Sequence, residues 1–288
     1  MGKTLNITVS AFPGAFNELR ETTDQDTSAV LCPGDDPDGA EDFSFRACRA
    51  AQVRYITAMT DTQYVVETPE RPSLPVAGQS ARYPVRRVYC VGWNYTEHVR
   101  EMKGDERNPP IFFLKAADNV MAPGGKLPYP PKTTEMHHEI ELVAAIGKAG
   151  RDIAPEDALD HVWGYAVGLD MTRRDLQWEA KAKGAPWDTG KTFDCAAPIS
   201  AVHPVSETGH PSDARIWLAV DGETRQSSSL DKMVWPVADI ISHLSGFFTL
   251  VPGDLIFTGT PEGVGPVSQG QVLTGGVDGV AELSVEIV

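Results

Sequence analysis

The sequence predicts an α+β fold in which β-strands dominate. Many short apolar or alternating runs are bounded by Gly and Pro, and few segments have helical periodicity. Strands and helices do not alternate regularly, which argues against a doubly wound parallel sheet. The composition is that of a globular protein, because 41% of the 288 residues are hydrophobic and 23% are charged.

Turn and capping residues predict where these elements begin and end. Asn94 with Glu97 three residues later has the spacing of a capping box, so a short helix is expected to begin there. Gly184 ends a helix, and Asp221-Gly222 predicts a tight turn between two strands. The predicted strands are 86–91, 111–114, 138–146, 164–171, 215–220, 223–226, 254–259 and 281–288. The other predicted helices are 157–162, 173–183 and 237–248.

The charge balance excludes several classes of partner. Forty acidic and 25 basic side chains give a net charge of −15, so nucleic acid and anionic membrane surfaces are expected to be repelled. No apolar run has the length of a membrane span, and no signal peptide is recognised. The four cysteines are scattered without a CxxC pair, which predicts reduced thiols in a cytoplasmic protein.

Residues 1–58 are expected to be a disordered N-terminal extension. All six Trp and all seven His follow residue 58, and the run 33–42 is acidic and poor in apolar residues. The alternative is that Met59 is the natural start of the protein. Residues 59–85 are predicted to be a lead-in segment, and 86–288 the folded domain.

A pair of glutamates precedes an apolar run. Glu139 and Glu141 come before 142–146, so in a strand they share one face of a buried element. Neighbouring carboxylates there repel each other and lose hydration unless a cation lies between them. Asp170 ends the apolar run 165–169 and is expected at the rim of the sheet. Three oxygen ligands without His or Cys indicate Mg²⁺ or Mn²⁺; the alternative is a Glu pair on a solvated edge.

His98 and Glu101 form a candidate catalytic pair. Three residues apart on the helix that begins near Asn94, they share a face and can form a hydrogen bond. A His oriented by a carboxylate can act as a general base near neutral pH. The alternative is a surface His beside a surface Glu. His137 and His138 are adjacent, so on a strand they point to opposite faces and cannot both serve one site.

Two further segments offer groups for an anionic substrate. Lys191 is interpreted as a cation directed at the substrate, with an ordinary surface lysine as the alternative. The Gly-rich segment 258–266 leaves a strand and turns sharply. Its backbone amides and the Thr260 hydroxyl could hold a carboxylate or an oxyanion. A tight turn without a ligand is the alternative.

Taken in order, five motifs resemble the fumarylacetoacetate hydrolase (FAH) family. They are VGWNYTEHVREM, HHEIELVAAIGK, YAVGLDMTRRDLQ, GKTFD and PGDLIFTGTPEGVGPV. The resemblance covers about 86–288, and HVWGYAVGLDMTRRDLQ and ARIWLAVDGETRQ are most similar to bacterial members that hydrolyse fumarylpyruvate in gentisate breakdown. It implies an FAH-type mixed β-sandwich roll with short flanking helices and a lid helix, residues 86–288 being the catalytic domain of a homodimer.

The resemblance also implies roles for individual residues. These are Glu139, Glu141 and Asp170 as ligands of Mg²⁺ or Mn²⁺, His98 and Glu101 as a catalytic dyad on the lid helix, Lys191 as the active-site lysine, and Arg174, Gln177 and Thr260 as substrate-binding residues. Trp93 departs from the family, whose members often carry a basic or aliphatic residue there. This departure concerns substrate preference and leaves the chemistry unchanged.

The implied activity is hydrolysis of a carbon–carbon bond in a small anionic 2,4-dioxo acid. For fumarylpyruvate the products are fumarate and pyruvate. The alternatives within the same chemistry are an acylpyruvate hydrolase and an oxaloacetate decarboxylase, because all three reactions pass through a metal-stabilised enolpyruvate. A non-catalytic, metal-dependent binding protein is the alternative of a different class.

Overall fold

The structure, a computed structural model, describes residues 64–97 and 109–288. The chain divides into two units, Met1–Thr68 and Pro69–Val288. Only residues 64–68 of the first unit are described, so the predicted extension 1–58 lies outside the described residues, as do His98 and Glu101. No helix among the described residues is long and apolar enough to cross a membrane.

Strands outnumber helices in the second unit, which confirms the predicted fold class. The strands are β1 Ser73–Pro75, β2 Arg82–Pro84, β3 Arg87–Gly92, β4 Ile111–Lys115, β5 Val120–Met121, β6 Lys126–Leu127, β7 Met136–His138, β8 Ile140–Ile146, β9 Val162–Leu169, β10 Thr172–Arg173, β11 Ala197–Pro198, β12 His203–Pro204, β13 Arg215–Val220, β14 Glu223–Ser229, β15 Asp254–Phe257, β16 Gly265–Val267, β17 Val272–Val277 and β18 Ala281–Ile287. The helices are α1 Arg174–Lys183, α2 Asp188–Lys191, α3 Val205–Thr208 and α4 Val237–Phe247, with 3₁₀ turns at Ala117–Asn119, Pro155–His161 and Leu230–Lys232.

Two larger sheets carry most of these strands. The six-stranded sheet has the order β12-β9-β8-β15-β3-β4, and the five-stranded sheet has the order β14-β13-β17-β18-β6. A third sheet has three strands in the order β10-β7-β16. Pairing is antiparallel throughout the six-stranded sheet except between β15 and β3. The sheets are therefore mixed in direction, as the resemblance implied.

The central strands β8, β9 and β15 of the six-stranded sheet are buried on both faces, which explains the apolar run 142–146 of β8. Leu142 and Ala144 belong to a cluster shared with Leu218 and Leu283 of the five-stranded sheet. Val143 and Ala145 belong to a second cluster on the other face. Successive side chains of a strand point to opposite faces, so a strand between two apolar layers needs apolar residues at every position.

The strand predicted over 138–146 is wrong at its start. The chain leaves β7 at His138 and begins β8 at Ile140, and these two strands belong to different sheets with Glu139 between them. Glu139 and Glu141 are therefore not successive residues on one face of a single strand. Their carboxylates still reach the same place.

Asn94 does not cap a helix, contrary to the prediction. Its buried side chain joins two other segments: Oδ1 accepts from the Trp235 N–H at 2.8 Å, and Nδ2 donates to the Thr258 carbonyl at 2.7 Å. Thr96 and Glu97 are helical, and the rest of the predicted lid helix lies outside the described residues. Asn94 therefore stabilises tertiary contacts, which no local spacing reveals.

Two other elements differ from the prediction. The helix predicted over 157–162 is a 3₁₀ helix, Pro155–His161. Strand β17 was not predicted because its sequence contains Gly275 and Gly276, and glycine weakens strand signals. A Cβ atom at Gly275 would lie 2.8 Å from the Trp217 carbonyl oxygen of β13, so glycine is needed for close pairing there.

Gly263 allows the loop after β15 to approach β14. Its φ is +87°, and a Cβ atom there would lie 2.2 Å from the Arg225 carbonyl oxygen. Gly279 has a similar φ of +75° but no atom within 4 Å of the same position. The two glycines therefore separate the cost of a left-handed backbone from the cost of a steric clash.

We expect Gly263→Ala to lower the free energy of unfolding much more than Gly279→Ala. Both variants pay the left-handed penalty of about 1–2 kcal/mol, and only Gly263→Ala adds a clash with backbone. Urea unfolding of both variants measures the difference. Equal losses would contradict the close approach of the loop to β14.

Candidate active site

Three buried carboxylates meet where strand β8 begins and strand β9 ends. Glu139 precedes β8, Glu141 lies within it, and Asp170 follows β9. One oxygen of each lies within 4.8 Å of the others, and all three residues are buried. The Asp170 N–H donates to the Glu139 carbonyl at 2.9 Å, so antiparallel pairing of β8 with β9 brings the third acid to the first two. These are the three acids that the sequence predicted as ligands of a metal ion.

Lys191 lies among these acids. Its Nζ donates to Glu139 Oε2 at 2.7 Å, to Asp170 Oδ2 at 2.6 Å and to Thr172 Oγ1 at 2.8 Å. Burial opposes the charged form, but the carboxylates of Asp170 and Glu139 outweigh it and raise the pKa of Lys191 above its ordinary value. Lys191 is therefore a buried ammonium, not the surface lysine of the alternative interpretation.

Two more cations border the same acids. Arg174 forms an ion pair with Glu139, and Lys115 Nζ lies 2.8 Å from Asp170 Oδ1, in a direction that does not make a hydrogen bond. Lys115 also donates to the carbonyls of Met171, at 3.0 Å, and Lys191. Lys115 was not predicted as a site residue. The sign of this role in the sequence is that Lys115 follows directly after the apolar run 111–114 of β4.

Glu141 has a different environment. Its Oε2 accepts from the Gly259 N–H at 2.7 Å, and no cationic side chain among the described residues forms an ion pair with it. Burial, followed by the charges of Asp170 and Glu139, raises the pKa of Glu141 well above its usual range. A buried anion without a cation is costly. Three hard oxygen donors with this residual negative charge fit a divalent cation.

The Gly-rich loop has a different use from the one expected. The Gly259 amide holds Glu141, so it is not an empty anion site. The Thr260 hydroxyl oxygen accepts from Gln226 Nε2 at 2.9 Å, which leaves the hydroxyl proton available to an acceptor in the cavity. The loop therefore contributes one hydroxyl group and positions one metal-ligand candidate.

Gln226 was not predicted, and it joins several parts of the site. Its Oε1 accepts from the Ile140 N–H at 3.1 Å and faces His138 Nδ1 at 3.0 Å, while its Nε2 donates to Thr260 and to the Pro261 carbonyl. Since Oε1 only accepts, the proton lies on His138 Nδ1. No motif marks a glutamine in the middle of a polar strand, so only the folded chain reveals this role.

A second network holds Arg174. Its Nη1 donates to Gln177 Oε1 at 2.6 Å, and its Nε donates to His137 Nδ1 at 3.3 Å. His137 Nε2 then faces Glu135 Oε1 at 3.1 Å. Burial and the nearby Arg174 lower the pKa of His137, which agrees with a neutral imidazole that accepts from the guanidinium. His137 supports Arg174 and His138 supports Gln226, which holds Thr260. Since Arg174 and Thr260 line the same cavity, the prediction that the two histidines cannot both serve one site is wrong.

The predicted site residues that the structure describes border one cavity. Seven of them line it: Glu139, Glu141, Asp170, Arg174, Gln177, Lys191 and Thr260. Aromatic side chains complete the wall, namely Trp93, Phe113 and Trp187. His98 and Glu101 lie outside the described residues. A wider cavity of about 350 Å³ shares Phe113, Trp187 and Lys191 with the first.

Three known proteins that act on small oxo acids are similar to this chain. The fumarylpyruvate hydrolase of Pseudomonas aeruginosa, solved in complex with Mn²⁺ and pyruvate, is 55% identical with a TM-score of 0.77, over 78% of this chain and 99% of that one. The mitochondrial oxaloacetate tautomerase FAHD1 of Arabidopsis thaliana is 42% identical over 201 residues, 70% of this chain and 90% of the relative. The mitochondrial oxaloacetate decarboxylase of Dictyostelium discoideum is 41% identical over 196 residues, 68% and 90% respectively.

The family match covers the unit that carries the site. Residues 87–288 match the family described as fumarylacetoacetate (FAA) hydrolase C-terminal. All ten cavity residues named above, the seven predicted site residues and the three aromatic residues, fall within this range. The chain belongs to the fumarylacetoacetate hydrolase family.

Proposed function

We propose that the protein is a divalent-metal-dependent hydrolase that cleaves fumarylpyruvate to fumarate and pyruvate. The observation that carries this proposal is the group of three buried carboxylates with Lys191 in one cavity. The 55% identity with a fumarylpyruvate hydrolase that binds Mn²⁺ and pyruvate supports the choice of substrate.

Glu139, Glu141 and Asp170 would hold Mg²⁺ or Mn²⁺. Such a cation supplies Lewis-acid stabilisation of the enolate that leaves when the carbon–carbon bond breaks. Glu141 supports this assignment most directly, because it is buried without a cationic partner among the described residues. The amide of Gly259 holds its carboxylate in place.

Lys191 and Thr260 are the groups that stabilise negative charge on the substrate. Hydrolysis adds water to the distal carbonyl, and the resulting oxyanion needs donors that are already oriented. The Lys191 ammonium is held by Glu139, Asp170 and Thr172. These three contacts use all three N–H groups of the ammonium, so Lys191 acts on the oxyanion through its positive charge. The Thr260 hydroxyl oxygen is held by Gln226, and its proton can be donated to the oxyanion.

Arg174 and Gln177 bind and orient the substrate. Arg174 uses three of its five guanidinium N–H groups on Glu139, His137 and Gln177, which fixes its direction and leaves two N–H groups for a substrate oxygen. Because the Gln177 carbonyl oxygen already accepts from Arg174, its amide N–H groups are directed to other acceptors. A carboxylate or keto oxygen of a dioxo acid is a suitable acceptor.

His98 and Glu101 supply the base in this proposal. His98, oriented by Glu101, takes a proton from water, and the hydroxide attacks the distal carbonyl. The bond between that carbon and the adjacent methylene then breaks, and the methylene carbon of the enolate receives the proton held by His98 to form pyruvate. The family resemblance of the motif VGWNYTEHVREM supports both roles.

Oxaloacetate is the second candidate substrate. The relatives from Arabidopsis thaliana and Dictyostelium discoideum act on oxaloacetate, by name as a tautomerase and a decarboxylase, at 42% and 41% identity. Hydrolysis of fumarylpyruvate and decarboxylation of oxaloacetate both release the enolate of pyruvate, which a divalent cation held by the three acids would stabilise. Measuring both substrates with one preparation separates the two candidates.

Family resemblance supports three further proposals. Residues 86–288 form the catalytic domain, preceded by a lead-in segment, 59–85, and an N-terminal extension, 1–58. The protein assembles as a homodimer, which light scattering measures. It acts in the cytoplasm in gentisate breakdown on small anionic dioxo acids, without nucleic acid or membrane partners.

We expect fumarylpyruvate to lose its ultraviolet absorbance when the protein and Mg²⁺ are added. Acetylpyruvate and oxaloacetate, assayed beside it, should react more slowly. EDTA should abolish turnover, because the acids then lack their cation, and excess Mn²⁺ should restore it. Turnover that EDTA does not change would contradict the metal-dependent reaction.

We expect Glu141→Gln to weaken Mn²⁺ binding by about 100-fold or more, because one anionic ligand is lost from the site. Glu286→Gln is the control, since the Glu286 side chain is 44% exposed, pairs with Lys126 and is not among the three acids. Isothermal titration calorimetry with Mn²⁺ measures both. Equal affinity in the two variants would remove Glu141 from the metal site.

We expect His98→Ala to abolish hydrolysis of fumarylpyruvate and to leave Mn²⁺ affinity unchanged. The reason is that the general base is lost while the three acids remain. Steady-state kinetics and Mn²⁺ titration of the same preparation measure the two effects. Full activity in this variant would exclude the dyad from the mechanism.

A further inference from the structure

Trp93 has a backbone conformation that bulky residues rarely adopt. Its φ is +59°, a left-handed value that persists only where surrounding structure imposes it. Asn94 imposes it here, because its side chain is bonded to Thr258 and Trp235. Gly259 packs against the same asparagine, since a Cβ atom on Gly259 would lie 2.6 Å from Asn94 Cβ. This left-handed backbone conformation places the Trp93 indole in the wall of the cavity that contains the acids.

Trp93 is part of an aromatic wall, which consists of Trp93, Trp187 and Phe113. The ring centroids of Trp93 and Trp187 are 6.4 Å apart, and those of Trp187 and Phe113 are 5.9 Å apart. All three rings line the cavity that contains the acids. Aromatic rings in such a wall can pack against a planar, conjugated ligand.

Lys181 places a cation beside this wall. Its Nζ lies 4.4 Å from the centre of the Trp93 ring, within the range of a cation–π interaction. Lys181 is exposed on helix α1, and none of the carboxylates in the described residues forms an ion pair with it. Its charge is therefore available to an anionic group of a ligand at the indole.

The cavity that contains the acids is too small for a whole dioxo acid. Its free volume is about 20 Å³, so the acyl end of a substrate must extend past the aromatic wall. The wider cavity is lined by Asp188, whose charge disfavours a terminal carboxylate nearby. A second carboxylate on the acyl group is favoured at Lys181 instead.

We propose that Trp93, Trp187 and Lys181 form the subsite for the acyl group, and that this subsite selects a flat, unsaturated acyl group with a terminal carboxylate. The inference rests on the proposed function and names the part of the substrate that each residue recognises. The indoles contact the conjugated chain, and the Lys181 ammonium pairs with the terminal carboxylate.

The first test compares kcat/KM for fumarylpyruvate and acetylpyruvate, which share the pyruvyl part and differ in the acyl group. Lys181→Met should lower the selectivity for fumarylpyruvate about fivefold, and Lys181→Arg should retain it. Lys183→Met is the matched control, because Lys183 lies on the same helix and pairs with Glu179.

Trp93→Gly removes the indole together with the backbone strain. It should lower the selectivity about tenfold without lowering the thermal stability.

The second test does not need turnover. Fumarate and crotonate have the same planar four-carbon skeleton, and crotonate lacks one carboxylate. Calorimetry with Mn²⁺ present should show tighter binding of fumarate in the native protein and in Lys183→Met, and loss of that preference in Lys181→Met. An unchanged preference in Lys181→Met overturns the subsite. Absence of hydrolysis with the preference intact overturns the proposed function and leaves the subsite standing.

Discussion

The placement of three carboxylates in the interior is the constraint on which the rest of the site depends. Each buried carboxylate loses hydration, and the three repel one another at distances within 4.8 Å. Lys191, Arg174 and Lys115 offset this cost at Glu139 and Asp170. Among the described residues, Glu141 receives a backbone amide and no cationic side chain, so the remaining negative charge is concentrated where a divalent cation fits best.

The six-stranded sheet makes this concentration of charge possible. Apolar layers cover both of its faces, which keeps water from the acids and keeps β8 and β9 in register. The acids themselves lie at the end of these strands, where Glu139 separates β7 from β8 and Asp170 follows β9. Rigid strands thus hold the carboxylates, while loops bring Thr260 and Trp93 to the same cavity.

Polar side chains at the junctions connect the sheets to the loops. Gln226 binds Ile140, Thr260 and Pro261 at once, and Asn94 binds Thr258 and Trp235. Each joins segments that are more than 30 residues apart in sequence. Buried amides with every group satisfied fix one geometry, because a different arrangement would leave donors or acceptors unpaired.

The sequence by itself determined the fold class, most strand positions and the candidate acids, because apolar periodicity and the EIE and LD patterns are local signals. Residue chemistry also offered Lys191 and Thr260, and the family motifs added Arg174 and Gln177; all four line the cavity. Only the tertiary structure decided that Glu139 lies between two sheets, that Asn94 joins loops, and that Lys115 and Gln226 belong to the site. These roles depend on contacts between segments far apart in the chain, and no periodicity or spacing within one segment encodes such contacts.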